Sequence, residues 1–409
     1  MSRLAINGGT PVVSKPQRRW PVYDDREKKA LKKVLDKHQW GTLGEEALRF
    51  AERFSSYCGC SYGMSVTNGT ISLEIILRSL GIGYGDEVIV PAYTFYSTIS
   101  SVAMVGAFPV LADMDPQTYN IDPEQIGELL TDKTKAVIAT HIGGRICDMD
   151  ALNKICKEKG LYLIEDAAHA HGSEWRGKRA GSLSDMASFS FQSSKNLTGG
   201  EGGFISTNDY TLFKEAWHYH NSGRSYEDSS EFGGTVFMGT NARMAEWEAA
   251  VLNVQLERLD EQTELRQKNA AILDKLIHGF PFLSPLQRDE RITRNAYHLY
   301  IIKYDPAGIR GISRQLFIAA LNAEGIPASY GYNCIHKMNV LQCESFAKST
   351  GRKWASGNSS LCRTEHACEE EGIWIPGSYL LGEQDDMTAV AEAMDKIRMA
   401  ADELMDKED

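Results

Sequence analysis

The chain lacks several features that would have placed it in a class at once. It has no long apolar run: no stretch approaches the ~20 residues of a membrane span. Its opening, Met1-Ser-Arg-Leu-Ala-Ile-Asn-Gly-Gly, is too short and too polar to read as a signal peptide. It lacks a basic surplus. Lys and Arg number 44 against 55 Asp and Glu, a net charge of −11, which argues against nucleic acid as the main partner because phosphate binding needs a basic surface. Cysteine is sparse, eight in 409 residues, and not spaced for zinc: Cys58-Gly-Cys60 leaves one residue between its thiols, and Cys362 and Cys368 stand apart from it. The reading that follows is free thiols in a reducing cytosol, with no metal and no membrane. No internal repeat or low-complexity segment stands out. What remains, 42% hydrophobic and 24% charged residues, is an ordinary globular composition, long enough for two domains or one large and one small lobe.

Short apolar runs alternate with helical patterns through the first two thirds. Met64 to Val66, Glu87 to Val90, Phe108 to Ala112, Ala136 to His141 and Tyr162 to Ile164 read as strands. Ile71 to Leu80 reads as a helix with Leu73, Ile76, Leu77 and Leu80 on one face and Gly81 closing it, and Asp148 to Lys159 as another. This β-α alternation predicts an α/β fold, a mainly parallel sheet covered on both faces, with ligands bound beyond the carboxyl ends of the strands. Ala245 to Arg266 reads as one long helix. After it the pattern changes: His298 to Tyr304 suggests a strand, Ser313 to Glu324 a helix and Met387 to Lys407 a charged terminal helix. A large domain over 1–265 and a smaller α+β domain over 266–409 follow.

Two runs carry the chemistry. In Ser188-Phe-Ser-Phe-Gln-Ser-Ser-Lys195-Asn-Leu-Thr-Gly-Gly-Glu-Gly-Gly203 a single lysine sits on a small, polar, glycine-rich turn between apolar runs. In Leu161-Tyr-Leu-Ile-Glu-Asp166-Ala-Ala-His169-Ala-His171-Gly172 a carboxylate ends an apolar strand. Burying it is costly without a partner, although it also reads as the cap of a following helix. A fixed lysine and a buried carboxylate are the pair that pyridoxal phosphate needs, one for a Schiff base and the other to keep the pyridine nitrogen protonated. Thr67-Asn68-Gly69-Thr70 opens a helix, which offers amides and the positive dipole end to a phosphate; plain helix capping explains the same residues.

These phrases, with Gly85-Asp-Glu-Val-Ile-Val-Pro-Ala-Tyr-Thr-Phe95 and Gly239-Thr-Asn241-Ala-Arg243-Met, resemble the DegT/DnrJ/StrS family of pyridoxal-phosphate sugar aminotransferases over roughly residues 5 to 400. The resemblance implies fold type I and a homodimer with shared active sites. It implies Lys195 and Asp166 as the catalytic pair, and Asn68, Gly69, Thr70 and Ser190 at the cofactor phosphate. Phe95 would lie over the ring, His169 would bond its phenolic oxygen, and Asn241 would be donated across the dimer to the neighbour's phosphate. His141, Arg243 and His336 match positions that face the substrate. Each has a plainer reading: a strand serine pointing to solvent for Ser190, a core ring for Phe95, a loop cap for Asn241, a solvated side chain for Arg243. His169-Ala-His171 as a metal pair is the poorer alternative, since no third ligand is evident.

The implied reaction moves an amino group from glutamate or glutamine to the keto group of a sugar nucleotide or a cyclitol, in the cytoplasm. The loop His141-Ile-Gly143-Gly144-Arg145 lacks the tyrosine usual in sugar members, and a small residue at 143 is expected to open space beside the cofactor. That loop and His169 are more similar to the aminohydroxybenzoate synthase and scyllo-inosose aminotransferase branches. The alternatives are therefore a dehydratase/aromatase of the first kind, or a non-catalytic regulatory protein on the same fold.

Overall fold

A computed structural model describes residues 3–15, 19–227, 234–235, 237–354 and 361–405. Its strands begin with β1 (Tyr62–Val66), β2 (Glu87–Pro91), β3 (Phe108–Ala112), β4 (Thr134–Thr140) and β5 (Tyr162–Asp166). A short hairpin of β6 (Glu174–Trp175) and β7 (Lys178–Arg179) follows, then β8 (Met186–Ser190) and β9 (Gly203–Thr207). Seven of these form one sheet in the order β1-β9-β8-β5-β4-β2-β3. β8, β5, β4, β2 and β3 run parallel, as the β-α alternation predicts. β9 is antiparallel to both its neighbours, because the segment joining β8 to β9 contains no helix to carry the chain back to the sheet's other end.

The helices are α1 (Asp25–Lys37), α2 (Glu45–Cys58), α3 (Gly69–Ser79), α4 (Tyr96–Met104), α5 (Pro123–Leu129), α6 (Met149–Lys159), α7 (Tyr210–His220), α8 (Glu246–Gln255) and α9 (Leu259–Ile277). They cover both faces of the sheet, and the period of two along each strand divides the core accordingly. In β2, Ile89 joins the aromatic cluster of Phe50, Phe54, Phe189 and Phe204, while Val88 and Val90 join Leu73, Ile76 and Ile99 on the other face. The capping residues act where the sequence places them. Asn68 is extended and its side chain accepts from Ile71 N. Asp148 accepts from Ala151 N, and Gly160 closes α6 at φ 65°, a left-handed conformation that favours glycine.

The single helix expected over Ala245–Arg266 is instead two. α8 ends at Gln255, a 3₁₀ turn covers Leu256–Arg258, and α9 continues to Ile277. Leu259 at the start of α9 packs in the large core, and Ala270, Leu273 and Ile277 pack in a second one. One helix therefore runs through position 265, with its start in one core and its later turns in the other. Periodicity alone does not show this, since both halves carry leucines at helical spacing.

The second lobe contains β10 (Leu283–Pro285), β11 (Ile292–Arg294), β12 (Leu299–Tyr304), α10 (Arg314–Ala323), β13 (Ser329–Tyr330) and β14 (Gly372–Pro376). β10, β12, β14 and β13 make an antiparallel sheet, and β11 pairs with β6 from the large lobe. Phe282, Ile302, Phe317, Val390 and Ile397 fill this core, joined by Leu4 from the chain's start. The terminal helix runs Gln384–Met399, with a short turn of helix at Asp402–Met405; the end of the expected Met387–Lys407 helix, 406–407, lies outside the described residues. Among the described residues no helix is long and apolar enough to cross a membrane.

Candidate functional site

The carboxyl ends of the parallel strands open into a cavity of about 790 Å³. Ladder register fixes which residues meet there. Thr140 pairs with Asp166, and Asp166 with Ser188, so the ends of β4, β5 and β8 lie side by side. Asn68, Gly69, Thr70, Phe95, Asp166, His169, Ser190 and Lys195 all line this one space.

Lys195 stands on a turn held by groups other than its own amine. Its backbone N–H donates to Gln192 O, Asn196 Nδ2 donates to Ala296 O at 2.8 Å, and Thr198 Oγ1 donates to Phe191 O at 2.9 Å. Gly202 adopts φ 134°, and a Cβ there would fall 2.9 Å from Met244 Cε, so the turn depends on glycine at this point. The Lys195 side chain is partly buried. Burial brings its amine down to about 8, against the upward pull of the Asp166 charge.

Asp166 is 5% exposed. Its Oδ2 accepts from Thr98 Oγ1 at 2.8 Å and its Oδ1 from Ala168 N at 3.3 Å. Burial nevertheless raises its carboxyl above the usual range, against the hydrogen bonds from Thr98 and Ala168 and the Lys195 charge. Such a carboxylate is best satisfied by a cation brought into the cavity.

Gly69 begins α3 directly beneath Ser190: a Cβ at Gly69 would lie 2.8 Å from Ser190 Cβ. The Asn68 side chain serves as the N-cap. The helix end still presents its first amides to the cavity beside the Thr70 and Ser190 hydroxyls. Phe95, 58% exposed, presents its ring to the cavity. His169 is buried, and its Nδ1 accepts from Gly143 N at 3.3 Å. Burial first, then the Lys195 charge, holds the ring neutral. That leaves Nε2 as its N–H donor.

The structure separates four predicted residues from this group. His141 is fully buried, with Nε2 3.1 Å from Glu165 Oε2 and Nδ1 accepting from Cys147 N. Both ring nitrogens are used below the sheet edge, so it does not reach the cavity. Arg243 donates to Asn221 Oδ1 at 2.9 Å, away from the cavity lining. His336 pairs with Glu365 Oε1 at 2.9 Å; the same loop reaches the cavity through Tyr332 instead. Asn241 is exposed, bridged to Asn221, and not on this cavity. The space expected beside Gly143 is also filled: a Cβ there would meet Leu299 O and Ile301 Cδ1, both at 3.2 Å. The small residue admits β12 of the second lobe, not a ligand. His169 and His171 do not form a pair either. His171 packs among Phe189 and Phe191, while the His169 ring lies 4.2 Å from that of His298.

Sequence reading missed the lining residues Trp20, Gln192, Glu201, His298, Tyr332 and Trp374. They arrive from the chain's start, the lysine turn itself and the second lobe. Trp20 Nε1 donates to Ser193 O at 2.9 Å and so touches the lysine turn directly. Thr98 had a signal: it lies in the first turn of the helix that Phe95 caps.

Residues 21–394 match the profile of the DegT/DnrJ/EryC1/StrS aminotransferase family. The chain is 36% identical over 417 residues to the L-glutamine:2-deoxy-scyllo-inosose aminotransferase of Streptoalloteichus tenebrarius, covering 96% of this chain and 97% of that one. Among solved structures it is similar to 3-amino-5-hydroxybenzoic acid synthase, with TM-score 0.84, 33% identity and coverage of 94% of this chain and 99% of that one. It is also similar to DesI solved in the presence of its TDP-sugar product, with TM-score 0.85, 29% identity and coverage of 99% and 98%. The expected fold is thus borne out over nearly the whole chain.

Proposed function

The chain belongs to the DegT/DnrJ/EryC1/StrS aminotransferase family and is a transaminase of the pyridoxal-phosphate-dependent kind, and on that premise we propose that it moves an amino group from glutamine or glutamate to the ketone of a cyclitol. The observation that carries this reading is the convergence of Lys195, Asp166 and the α3 N-terminus on one cavity. The residues present fit the cofactor: an amine of lowered basicity, a buried carboxylate short of a cation, and helix amides flanked by two hydroxyls.

Bound pyridoxal phosphate supplies an electron-poor ring beside which a Cα–H bond can be broken and remade. The chain's own residues do the rest. Lys195 Nζ would hold the cofactor and, as an amine of lowered basicity, would take and return the proton as general base and acid. Asp166 would keep a proton on the ring nitrogen. The α3 amides with Thr70 and Ser190 would hold the phosphate, Phe95 would offer its ring as a stacking surface, and His169 Nε2–H would be the donor available to the ring oxygen. Asn241, exposed on its own subunit, serves the neighbour's site in a two-fold homodimer. A cytoplasmic location belongs to the same reading, supported by the eight cysteines all being free.

The charge of the cavity favours a cyclitol over a sugar nucleotide. Among the described residues, Lys195 is the one Lys or Arg lining it, and Asp166 and Glu201 also face it. Among the described residues a diphosphate finds no guanidinium there, whereas a neutral polyol finds Gln192, Glu201, Tyr332 and Ser378 as hydrogen-bonding groups. The test is the visible absorption of the holoprotein. Glutamine or glutamate is expected to bleach the cofactor band, and a keto-cyclitol to restore it, with a nucleotide-linked keto-sugar leaving it bleached. Restoration by the nucleotide sugar alone overturns the substrate assignment, and a band that no donor bleaches overturns the transaminase reading. Restoration accompanied by an aromatic product would instead favour dehydrating aromatisation, which the likeness to 3-amino-5-hydroxybenzoic acid synthase keeps as the second reading.

The lowered basicity of Lys195 gives a further expectation. The neutral amine predominates above about pH 8. The rate at which apoprotein takes up pyridoxal phosphate is therefore expected to rise with pH through about 8 and then level off. A solvated lysine would keep the rate rising beyond pH 10. From about pH 8 up to the ordinary lysine range above pH 10 an unfolded chain holds a proton that the folded one has lost, so apoprotein stability rises with pH there. Stopped-flow absorbance across the pH range checks the first, and thermal melts the second.

A further inference from the structure

A second cavity, of about 680 Å³, shares no residue with the first. Two of its walls, from Asp115 to Glu124 and from Arg145 to Ala151, belong to the large lobe. The third, Gln287 to Arg291, comes from the loop between β10 and β11 in the second lobe. At its base lies Arg145, 8% exposed. Its backbone is fixed by Arg145 N donating to Ile142 O and by Asn120 Nδ2 donating to Arg145 O at 3.1 Å. Its guanidinium makes no ion pair among the described residues, and its buried Nε has no hydrogen-bond partner. A recessed, unpaired guanidinium is costly unless something else compensates it.

The neighbouring cations are already committed. Arg291 pairs with Asp289 at 2.7 Å and Asp148 at 2.9 Å, and Arg288 with Asp274 at 2.7 Å. Asp122 is taken by Arg363 at 2.6 Å. No direct ion pair among the described residues takes up the Arg145 guanidinium below, which feels the Asp289 and Asp115 carboxylates only at longer range, or the rim carboxylates of Asp115, Glu124 and Glu290. Asp115 accepts only from a backbone amide, Gln117 N, at 2.7 Å. A phosphate entering this cleft meets the acidic rim, and a bare metal ion meets Arg145. A small zwitterion satisfies both.

We propose that this cleft is a second ligand site that takes an α-amino acid, its carboxylate on the Arg145 guanidinium and its ammonium on the acidic rim led by Asp115. Because the walls come from both lobes, the bound amino acid ties the Gln287–Arg291 loop to the β3–α5 segment. The site is independent of the catalytic reading: it shares neither residues nor chemistry with the Lys195 cavity.

Calorimetry on borohydride-reduced holoenzyme, in which the catalytic lysine is blocked, tests the proposal with glycine, glutamine and glutamate. Acetate, methylamine and inorganic phosphate serve as half-ligands. The expected result is saturable binding of the amino acids at one site per chain, weakened at least tenfold by Arg145→Gln and several-fold by Asp115→Asn, with each half-ligand at least tenfold weaker. Amino-acid binding that survives Arg145→Gln unchanged places the ligand in the catalytic cavity and overturns the proposal. So does acetate or phosphate binding as tightly as the amino acids, or no saturable binding at all. Should Arg145→Gln fail to fold, Asp115→Asn at the half-exposed rim still decides the question.

Discussion

Lys195→Ala is expected to lower kcat by about 10^4-fold or more while leaving the fold intact. The turn that carries the lysine is held by the Lys195 backbone, by the Asn196 and Thr198 side chains and by glycine at Gly202. The amine itself makes no ion pair among the described residues, so its loss removes chemistry rather than structure. The variant should melt at the wild-type temperature and lack the covalent cofactor band. A small primary amine such as methylamine, added at high concentration, should restore part of the rate, because the cavity left by the side chain can admit one. Full activity in the variant would move both the anchor and the proton carrier to another residue, and among the described residues no other Lys or Arg lines the cavity.

Asp166→Asn is the second large effect, a fall in kcat on the order of 10^3-fold. The amide can keep the acceptor for Thr98 Oγ1 and nearly the same volume, at the loss of the longer bond from Ala168 N, so packing is largely preserved. What it removes is the charge that would hold a proton on the ring nitrogen. Cofactor should still bind, through the α3 amides and Lys195, but its absorption should change shape and the donor half-reaction should slow more than cofactor affinity falls. Asp166→Glu keeps the charge but lengthens the side chain in a buried site, and is expected to recover only part of the loss. Equal loss in kcat and in cofactor affinity for Asp166→Asn would mean that the residue matters for shaping the site alone.

The large lobe was legible because its signals are local. Alternating apolar runs, Asn68 before a helical stripe, Asp148 before another and a carboxylate ending a strand all act within a few residues of themselves. The parts of the cavity made locally, at the ends of β1, β5 and β8, were legible for the same reason. What failed was longer in range. His141 ends a strand as a ligand residue would, but whether its ring turns up to the cavity or down to Glu165 depends on a strand neighbour and on Cys147. Gly143 was read as opening space beside the cofactor, and that space is taken by Leu299 and Ile301 of the other lobe. Tyr332, Trp374 and Trp20 reach the cavity from distant parts of the chain, and no spacing in the sequence announces an aromatic that arrives by lobe packing.

The first turn of α4 does two things within a few residues. Phe95, its cap, presents a ring to the cavity, and the Thr98 hydroxyl holds Asp166 Oδ2. The Phe95 ring and the hydroxyl that steadies the carboxylate are thus geared to one short piece of backbone. A change that tips this helix, even one made on its buried side at Ile99 or Val102, displaces both together. The tilt of a ring held there and the pull on its edge cannot be adjusted separately from this direction, so any retuning of one without the other has to come from β5 or from the lysine turn.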